Sequence, residues 1–425
     1  MAEQNSATAQ IGELLHAQPK ADIIVGLPSY NNEGTIAGVV QAIRQGLGQS
    51  FGENKAVIVN VDGGSTDGTI DRIAELRGEA GATLGQVRLA GQDFVVPYHG
   101  IAGKAEALHV TLQIARQTGA RLCLMLSPDF TVLPPSWVEQ LAAPILQQGF
   151  DFALPVYLRH KFDGAITSSI VRPLVRSLYG RRAQQPMGGE YAFSAAFVER
   201  CLAQNVWGTD LARFGSDIWI TTQAMCGPFK MCHVQLGPKR QMRSSAAADL
   251  GATLNQVLGS LLEDMTRNAQ VWQRVRGSLS IDALGAPAEG VPAPVNLDFR
   301  KLMESFRLGL RNLQEVWSLV LAPATLLELH RTAELAPEHF ALPDVLWSRV
   351  LFDFSLGYRL RTINRSHLLS AFLPLYLGWL GAFVREMQDA SDSETESRAD
   401  QLCRTCEAEK PYLMSRWRSP DRFNP

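Results

Sequence analysis

Short apolar runs with β-propensity recur in the first third of the chain and are separated by polar loops and helical stretches. Three of these runs have the length of strands, namely Asp22–Leu27, Ala56–Val61 and Leu122–Leu126. Apolar residues return at helical spacing over Ile36–Leu47. The segment Pro134–Glu139 has the pattern of a helix start with a capping box. Strands that alternate with helices predict an α/β domain whose parallel sheet is covered on both faces.

The pattern changes after about Ser244, where apolar residues at helical spacing become dominant. A Gly-, Pro- and Ala-rich stretch from Gly277 to Pro294 predicts an ordered loop or linker within this helical part. We therefore predict a flexible leader over 1–20, the α/β domain over 21–244, a helical C-terminal region over 245–390 and a charged, solvated tail over 391–425.

One uncharged apolar run, Leu368–Val384, raises the question of a membrane. It is slightly short for a membrane span, and Pro374 interrupts it. Both features favour a buried core helix, with membrane contact as the alternative.

Charge and cysteine content narrow the class of protein. The formal net charge is -2, from 40 Lys+Arg against 42 Asp+Glu, which argues against broad nucleic-acid binding. The six cysteines are scattered, and the polar first twenty residues lack the apolar core of an export signal. A reduced, cytoplasmic compartment is therefore expected. Cys403 and Cys406 lack the second ligand pair that a zinc site needs.

Polar loops follow the first two predicted strands. Gly26–Glu33 comes after the first strand and Asp62–Thr69 after the second. Ligands of open α/β sheets collect outside the carboxyl ends of the strands, and helix N-termini there attract anions. Each loop alone could be an ordinary capped turn, but two such loops at neighbouring strand ends favour a nucleotide site.

Two further charged residues fall at comparable places. Lys104 precedes an apolar helix and could balance a phosphate, although an exposed lysine is the usual case. Asp129 follows the Leu122–Leu126 strand and could hold a hard divalent cation. By itself Asp129 could equally be a turn residue.

Taken in order, these motifs resemble those of GT-A-fold glycosyltransferases. The matching segments are Pro28-Ser29-Tyr30-Asn31-x-Glu33, Asp62-Gly63-x-Ser65-x-Asp67-Gly68-Thr69, Gly103-Lys104 and Asp129. The middle of the chain is similar to glucosyl-3-phosphoglycerate synthases and related bacterial proteins, on Asp163-Gly164-x-Ile166-Thr167, Val171-Arg172-Pro173-Leu174, Gln185-Pro186-x-Gly188-Gly189-Glu190-Tyr191 and Gly215-x-Asp217-Ile218. The resemblance covers roughly residues 22–241.

The resemblance implies a GT-A domain that transfers a hexose, with retention, from a nucleotide-diphosphate sugar such as UDP-glucose or GDP-mannose to a small hydroxy acceptor such as glycerate or phosphoglycerate. It also implies a role for each matching residue. The donor would contact Pro28, Ser29, Tyr30, Glu33, Asp62, Lys104 and Ser127. The acceptor would contact Thr167, Arg172, Gly188 and Gly189; Asp217 and Glu190 would be catalytic; and Asp129 and Gln241 would hold Mg²⁺ or Mn²⁺.

The chain departs from the family pattern at three places. Ser127 stands where the first acid of an Asp-x-Asp pair is usual, and Gln241 stands in the place of the metal-binding histidine. A glutamine carbonyl suits Mg²⁺ better than a transition-type ion, and the basic residues Lys239, Arg240 and Arg243 could supply the missing positive charge. Ala165 replaces the arginine that grips the acceptor phosphate, which favours glycerate over 3-phosphoglycerate.

Two alternatives remain from the sequence. The acceptor could be a lipid or a polymer, or the chain could bind nucleotide sugars without catalysis, as Ser127 and Gln241 would allow. The expected partners are the nucleotide-sugar donor and a small-molecule acceptor, without nucleic acid or membrane, and the helical region could form a homodimer. All of this requires the loops after the strands to gather at one rim of the sheet.

Overall fold

A computed structural model describes residues 2–89, 97, 99–242, 249–286 and 289–419. The chain divides into two compact units, each assembled from separate stretches. The first unit contains Met1–Leu158, Met187–Thr253 and Ile281–Val291, and the second contains Arg159–Pro186, Leu254–Ser280 and Pro292–Pro425. The predicted boundary after residue 244 is therefore too simple, since residues 159–186 group with the C-terminal helices.

The first unit is built on an eight-stranded sheet. In chain order the strands are β1 Ile23–Ser29, β2 Ala56–Asp62, β3 Thr83–Arg88, β4 Leu122–Met125, β5 Phe152–Leu158, β6 Tyr191–Ser194, β7 Met231–Pro238 and β8 Asp282–Leu284. Their spatial order is β3-β2-β1-β4-β6-β5-β7-β8. β8 lies inside the segment that the sequence predicted as a loop over 277–294.

The sheet is mixed, so the prediction of a wholly parallel sheet is wrong at one strand. β6 runs antiparallel to both of its neighbours, β4 and β5, while the other pairs are parallel. An antiparallel neighbour needs no crossover helix to carry the chain back across the sheet. The alternation of strands and helices in the sequence therefore gave no sign of this reversal.

Seven helices of the described residues belong to the first unit: α1 Ala2–Ala17, α2 Ile36–Phe51, α3 Thr69–Glu75, α4 Lys104–Thr118, α5 Pro135–Gln148, α7 Ala195–Leu202 and α8 Asp210–Cys226. The apolar positions predicted for α2 are buried in the core beside the aliphatic residues of β1. α5 starts with Pro135, and no side chain caps it. The capping-box prediction is wrong there, because proline at the first helical position already removes one unsatisfied N–H.

The predicted flexible leader contains a helix. α1 packs beside β3, where Leu14 lies so close to Gly85 that an added Cβ would come within 2.7 Å of the leucine side chain. The side chain of Gln10 accepts a hydrogen bond of 2.7 Å from the backbone N–H of Arg88. The expectation of a frayed leader is corrected, since apolar residues spaced along this segment have a strand edge to cover.

The second unit is helical. Its elements are a π-helical turn Thr167–Val171, α6 Arg172–Tyr179, α9 Leu250–Arg267 (whose first turn is assigned to the first unit), α10 Ala269–Trp272, α11 Phe299–Ser318, α12 Pro323–Glu334, a 3-10 turn Pro337–His339, α13 Asp344–Leu360, α14 Arg365–Met387, α15 Asp392–Ala408 and α16 Lys410–Arg418.

The long apolar run forms α14, which packs tightly against α11. A Cβ added to Gly309 would lie 2.2 Å from the Cβ of Pro374, and one added to Gly378 would lie 2.7 Å from the ring of Phe306. Within the described residues, α14 alone is long and apolar enough to cross a membrane, and 67% of its most apolar window is buried inside the protein. This burial is what the predicted core helix requires.

The charged tail predicted over 391–425 is largely ordered helix. Ser391 caps α15 in a complete capping box with Glu394. The acids of α15 meet arginines of α6: Arg172 bonds Glu396 at 2.7 Å and Arg176 bonds Asp400 at 2.5 Å. The prediction of a solvated tail is corrected, because those charges have buried partners. Residues 420–425 lie outside the described residues.

Candidate active site

The ends of β1 and β2 lie side by side, with Ser29 paired in register with Asp62. The Asp62 carboxylate is fully buried. It accepts hydrogen bonds from the Ser29 hydroxyl at 3.0 Å, from the Ser65 hydroxyl, and from the N–H groups of Gly64 and Ser65 at 2.9 and 2.8 Å. A carboxylate offers about four acceptor positions. Asp62 therefore uses its capacity to order the loop that follows β2.

The loops after β1 and β2 form one hydrogen-bonded body. The Asn31 side-chain oxygen accepts from the Thr66 N–H at 2.8 Å, and the Asn31 N–H donates to the Ser65 hydroxyl at 2.9 Å. Glu33 accepts from the Gly68 N–H at 3.2 Å and remains exposed. Asn31 adopts a left-handed backbone with φ 54, which asparagine tolerates better than most residues.

Two close contacts join this body to the elements beside it. The Thr35 hydroxyl donates to the Pro128 carbonyl, just after β4, at 2.7 Å. A Cβ on Gly63 would lie 2.1 Å from the Ala102 carbonyl oxygen, immediately before α4. Only glycine permits that approach. The structure thus brings the segments that carry Glu33, Asp62, Lys104 and Asp129 to the carboxyl rim of the parallel strands.

Lys104 is the first residue of α4, and its ammonium forms an ion pair with a carboxylate. Its Nζ lies 2.8 and 2.9 Å from the two oxygens of Asp217, and the side chains are 8% and 7% exposed. The backbone of α8 leaves helical geometry at Gly215, two residues before Asp217. Burial would raise the pKa of Asp217, but the Lys104 ammonium beside it holds that pKa below its ordinary value. Asp217 is therefore an ionised, firmly held group.

Glu190 follows the two glycines that precede β6 and is fully buried. Its Oε2 accepts from the Tyr157 hydroxyl at 2.8 Å and from Lys239 Nζ at 2.8 Å. Its Oε1 has no hydrogen-bond partner among the described residues. A buried acceptor without a hydrogen-bond partner costs free energy. A ligand hydroxyl that donates to Oε1 would remove this cost.

Gly189 lies at the centre of the polar cluster. Its φ is +89, and a Cβ placed there would lie 3.5 Å from Lys239 Nζ, 3.9 Å from Lys104 Nζ and 4.0 Å from the Ser127 hydroxyl. The space beside Gly189 is therefore bordered by two ammonium groups and a hydroxyl. We call these four residues the Gly189 cradle, and its chemistry suits a phosphate group.

Asp129 and Gln241 come together as the sequence analysis expected. The Gln241 side-chain amide donates to Asp129 Oδ1 at 2.7 Å, and the backbone of Met242 donates to the Asp129 carbonyl at 2.9 Å. Burial raises the pKa of Asp129, with Lys239 opposing the shift and Glu190 adding to it. Within the described ranges no three His, Cys, Asp or Glu side chains gather as a metal cluster.

The residues predicted to bind the acceptor fall in both units. Gly188 and Gly189 belong to the first unit, while Thr167 and Arg172 belong to the second. Thr167 opens the π-helical turn, and Arg172 bonds Glu396 of α15 at 2.7 Å. The guanidinium of Arg172 thus has a structural partner in its own unit, and its role at the acceptor stays a prediction.

Comparison with known proteins identifies the class of enzyme. Residues 24–200 match the family model described as glycosyl transferase family 2. The chain is a glycosyltransferase. It resembles the glucosyl-3-phosphoglycerate synthase of Mycolicibacterium smegmatis, with 27% identity over 271 residues, 61% of this chain and 82% of the relative. The Mycobacterium tuberculosis enzyme is 27% identical over 268 residues, 59% of this chain and 76% of the relative.

Two solved structures are also similar. A crystal structure of the M. tuberculosis glucosyl-3-phosphoglycerate synthase, in complex with Mn²⁺, UDP and phosphoglyceric acid, has 27% identity and a TM-score of 0.43, and covers 60% of this chain and 82% of that one. The mannosyl-3-phosphoglycerate synthase of Rubrobacter xylanophilus has 21% identity and a TM-score of 0.42, and covers 63% and 80%.

Three groups of the candidate site were not identified from the sequence. Tyr157 was hidden in a strand, although its hydroxyl bonds Glu190. His99 belongs to none of the motifs; burial and the nearby Lys104 lower its pKa to about 3, so it is neutral. The ion pair of Lys239 with Glu190 joins residues far apart in the chain. None of these pairings leaves a spacing signal in a single sequence.

Proposed function

We propose that this glycosyltransferase moves a hexose from a nucleoside diphosphate sugar to a small hydroxy acceptor of the glycerate or phosphoglycerate type, with retention at the transferred carbon. The observation that carries the proposal is the Gly189 cradle, with two ammonium groups at the rim of the sheet whose side chains are 8% and 12% exposed. The nucleotide diphosphate would lie in this cradle, with its nucleoside toward the loop that carries Tyr30 and Glu33, which the buried Ser29 and Asp62 hold in place.

The charges around the cradle argue for a divalent cation. Lys104 and Lys239 bring two positive charges, whereas Asp217, Glu190 and Asp129 bring three negative ones, a balance of minus one. A bound diphosphate would add further negative charge. The site therefore needs a counter-ion in order to bind a diphosphate. Mg²⁺ is commonly held by one or two carboxylates together with substrate phosphates and water.

Asp129 and Gln241 fit this shared arrangement. Burial raises the pKa of Asp129. A bound cation would lower that pKa again, because it favours the ionised carboxylate. A half-turn of the Gln241 amide would present its oxygen beside Asp129 in place of its nitrogen. When bound, Mg²⁺ or Mn²⁺ would neutralise charge on the diphosphate.

The chemistry needs little else from the protein. The bond from the sugar carbon to the diphosphate oxygen breaks with its electron pair on the phosphate, and the acceptor oxygen bonds the same face of that carbon. The acceptor proton passes to the leaving phosphate. Protein groups then contribute by stabilising the leaving charge and by aligning the acceptor hydroxyl. Asp217, bound through both oxygens to Lys104, suits an orienting role, and the open Oε1 of Glu190 suits a substrate hydroxyl.

Retention and the acceptor are the finer parts of the proposal. The relatives are named for 3-phosphoglycerate, but Ala165 replaces the expected arginine and Arg172 is paired with Glu396. Glycerate and phosphoglycerate are therefore both candidate acceptors. Six free cysteines support a reduced, cytoplasmic setting, and a homodimer through the helical region remains part of the proposal.

The experiment combines binding with turnover. A thermal-shift screen of UDP and GDP, with and without Mg²⁺ or Mn²⁺, identifies the nucleotide, because a ligand that binds the folded state raises its melting temperature. The matching sugar nucleotide is then incubated with glycerate or 3-phosphoglycerate. We expect metal-stimulated transfer that Asp129→Ala abolishes and that the exposed control Asp389→Ala retains. Nucleotide binding without turnover of any sugar nucleotide would instead identify a non-catalytic binder.

A further inference from the structure

Lys239 follows β7 and carries a fixed, nearly buried ammonium. Its side chain is 12% exposed. Its Nζ donates to the Gly188 carbonyl at 3.1 Å and to Glu190 Oε2 at 2.8 Å, and it lies over the rings of Tyr157 and Phe130, 5.0 and 5.4 Å from their centres. These contacts position the ammonium before any ligand binds, and an ammonium has three N–H donors.

The third donor of Lys239 has no protein acceptor among the described residues. Of the basic groups that border the cradle, Lys239 is the nearest to the space beside Gly189, at 3.5 Å against 3.9 Å for Lys104. Lys104 is bound to both oxygens of Asp217. Lys239 is bound to one oxygen of Glu190, and the second oxygen stays open.

The structure also selects among the three basic residues near the end of β7. Lys239 faces the cradle, while the side chain of Arg240 is exposed. Arg243 lies outside the described residues. Lys239 is therefore the basic residue of this segment that is placed to act on a ligand at Gly189.

We propose that Lys239 is a catalytic residue that donates its third N–H to the diphosphate of the donor and stabilises the charge left there when the sugar departs. This inference rests on the proposed function. Ser127 and Gln241 leave the cation site with a single carboxylate, and Lys239 supplies a second, protein-borne positive charge to the same leaving group. Because negative charge on the leaving oxygen grows as the bond breaks, the ammonium favours the transition state over the bound substrate.

The test is a calorimetric titration of the full chain with UDP and UMP, or with GDP and GMP if the guanine nucleotide binds better, in the presence of Mg²⁺. Lys239→Met is compared with Lys230→Met, a matched loss of charge at the exposed residue just before the same strand. We expect Lys239→Met to weaken diphosphate binding roughly 10- to 100-fold, the range for a charged hydrogen bond. Monophosphate binding should stay close to wild type.

Removing Lys239 also leaves Glu190 unpaired, so a second variant separates the two effects. In Lys239→Met with Glu190→Gln, both charges are gone and the buried site is balanced. The inference expects diphosphate binding to remain weak in this double variant and to recover in Lys239→Arg. Recovery of diphosphate binding in the double variant would overturn it, because Lys239 would then act through Glu190 alone.

Two outcomes distinguish this inference from the proposed function. Equal diphosphate affinity in Lys239→Met and Lys230→Met, with wild-type transfer intact, would overturn the role of Lys239 and leave the glycosyltransferase proposal standing. A wild-type protein that binds no nucleotide diphosphate at all would overturn both.

Discussion

The buried ion pair of Lys104 and Asp217 gives the sharpest stability prediction. Both side chains are more than nine-tenths buried, and Lys104 Nζ lies within 2.9 Å of both carboxylate oxygens. Lys104→Met would remove the positive partner and leave an ionised carboxylate in a site that water barely reaches. Burial, the largest influence on the pKa of Asp217, raises that pKa, and Lys104 is the main group that lowers it. Without Lys104 the pKa of Asp217 would therefore rise.

The expected magnitude follows from the burial. Breaking a buried pair by removing one partner typically costs about 3–5 kcal/mol, whereas an exposed pair is worth at most about 1 kcal/mol. For a unit of this size, 1 kcal/mol shifts the melting temperature by about 2–4 °C, so the variant should melt roughly 6–20 °C lower. The pKa of Asp217 is lowered in the folded state, so the contribution of this pair is present at neutral pH and is lost as the pH falls through that lowered pKa.

Scanning calorimetry on a double-mutant cycle measures this cost. The cycle consists of Lys104→Met, Asp217→Leu and the two together, with Arg72→Met as the control, since Arg72 pairs with Glu75 at 49% and 63% exposure. We expect a large loss in each single variant, partial recovery in the double variant and little change in the control. A Lys104→Met variant that melts like Arg72→Met would refute the reasoning.

Two further predictions concern the cradle and the second unit. Gly189→Ala forces a side chain into the left-handed region and places its Cβ 3.5 Å from Lys239 Nζ; we expect nucleotide diphosphate binding to fall at least ~10-fold by titration calorimetry, while Gly48→Ala, where a Cβ meets nothing within 4 Å, keeps it. Arg416→Met leaves the fully buried Asp353 without its cation and should cost about 3–5 kcal/mol. Burial raises the pKa of Asp353, so this deficit should shrink as the pH falls and the acid is protonated; a melting-temperature deficit equal at pH 5 and pH 8 would contradict that cause.

Local patterns predicted the early part of the fold well. The three predicted strands correspond to β1, β2 and β4, each within two residues at its ends, and the helical spacing after the first strand corresponds to α2. These elements are formed by apolar residues at regular spacing, which is readable from a single sequence. The carboxyl-rim loops followed from the same alternation, because parallel strands end on one side.

Contacts between segments that lie far apart in the chain could not be predicted from the sequence. Neither the antiparallel β6 nor the grouping of residues 159–186 with the C-terminal helices leaves a periodic signal. The charge run of α15 predicts a solvated segment, but Arg172 and Arg176 form ion pairs with its acids. A run of charged residues is exposed only when no buried group of opposite charge lies beside it. A single sequence does not show which residues lie beside the run in the folded protein.

The same limit applied to the site. The motifs include Lys104, Asp217 and Glu190, but they predict Lys104 at the donor and give no sign that Asp217 holds it. The pairing of Lys239 with Glu190 was likewise hidden, although both residues were noted. Residue types and motif order predicted which groups gather at the rim; only coordinates reveal which of them neutralise one another.

Product formation followed by proton NMR tests the central claim most directly. The wild-type chain is incubated with the sugar nucleotide whose nucleotide binds, Mg²⁺, and glycerate or 3-phosphoglycerate. The account predicts release of the nucleoside diphosphate in step with a new glycoside whose anomeric configuration matches that of the donor. An inverted glycoside would contradict the retaining mechanism. An unchanged donor after prolonged incubation with either acceptor, despite saturating nucleotide binding, would contradict the proposed transfer.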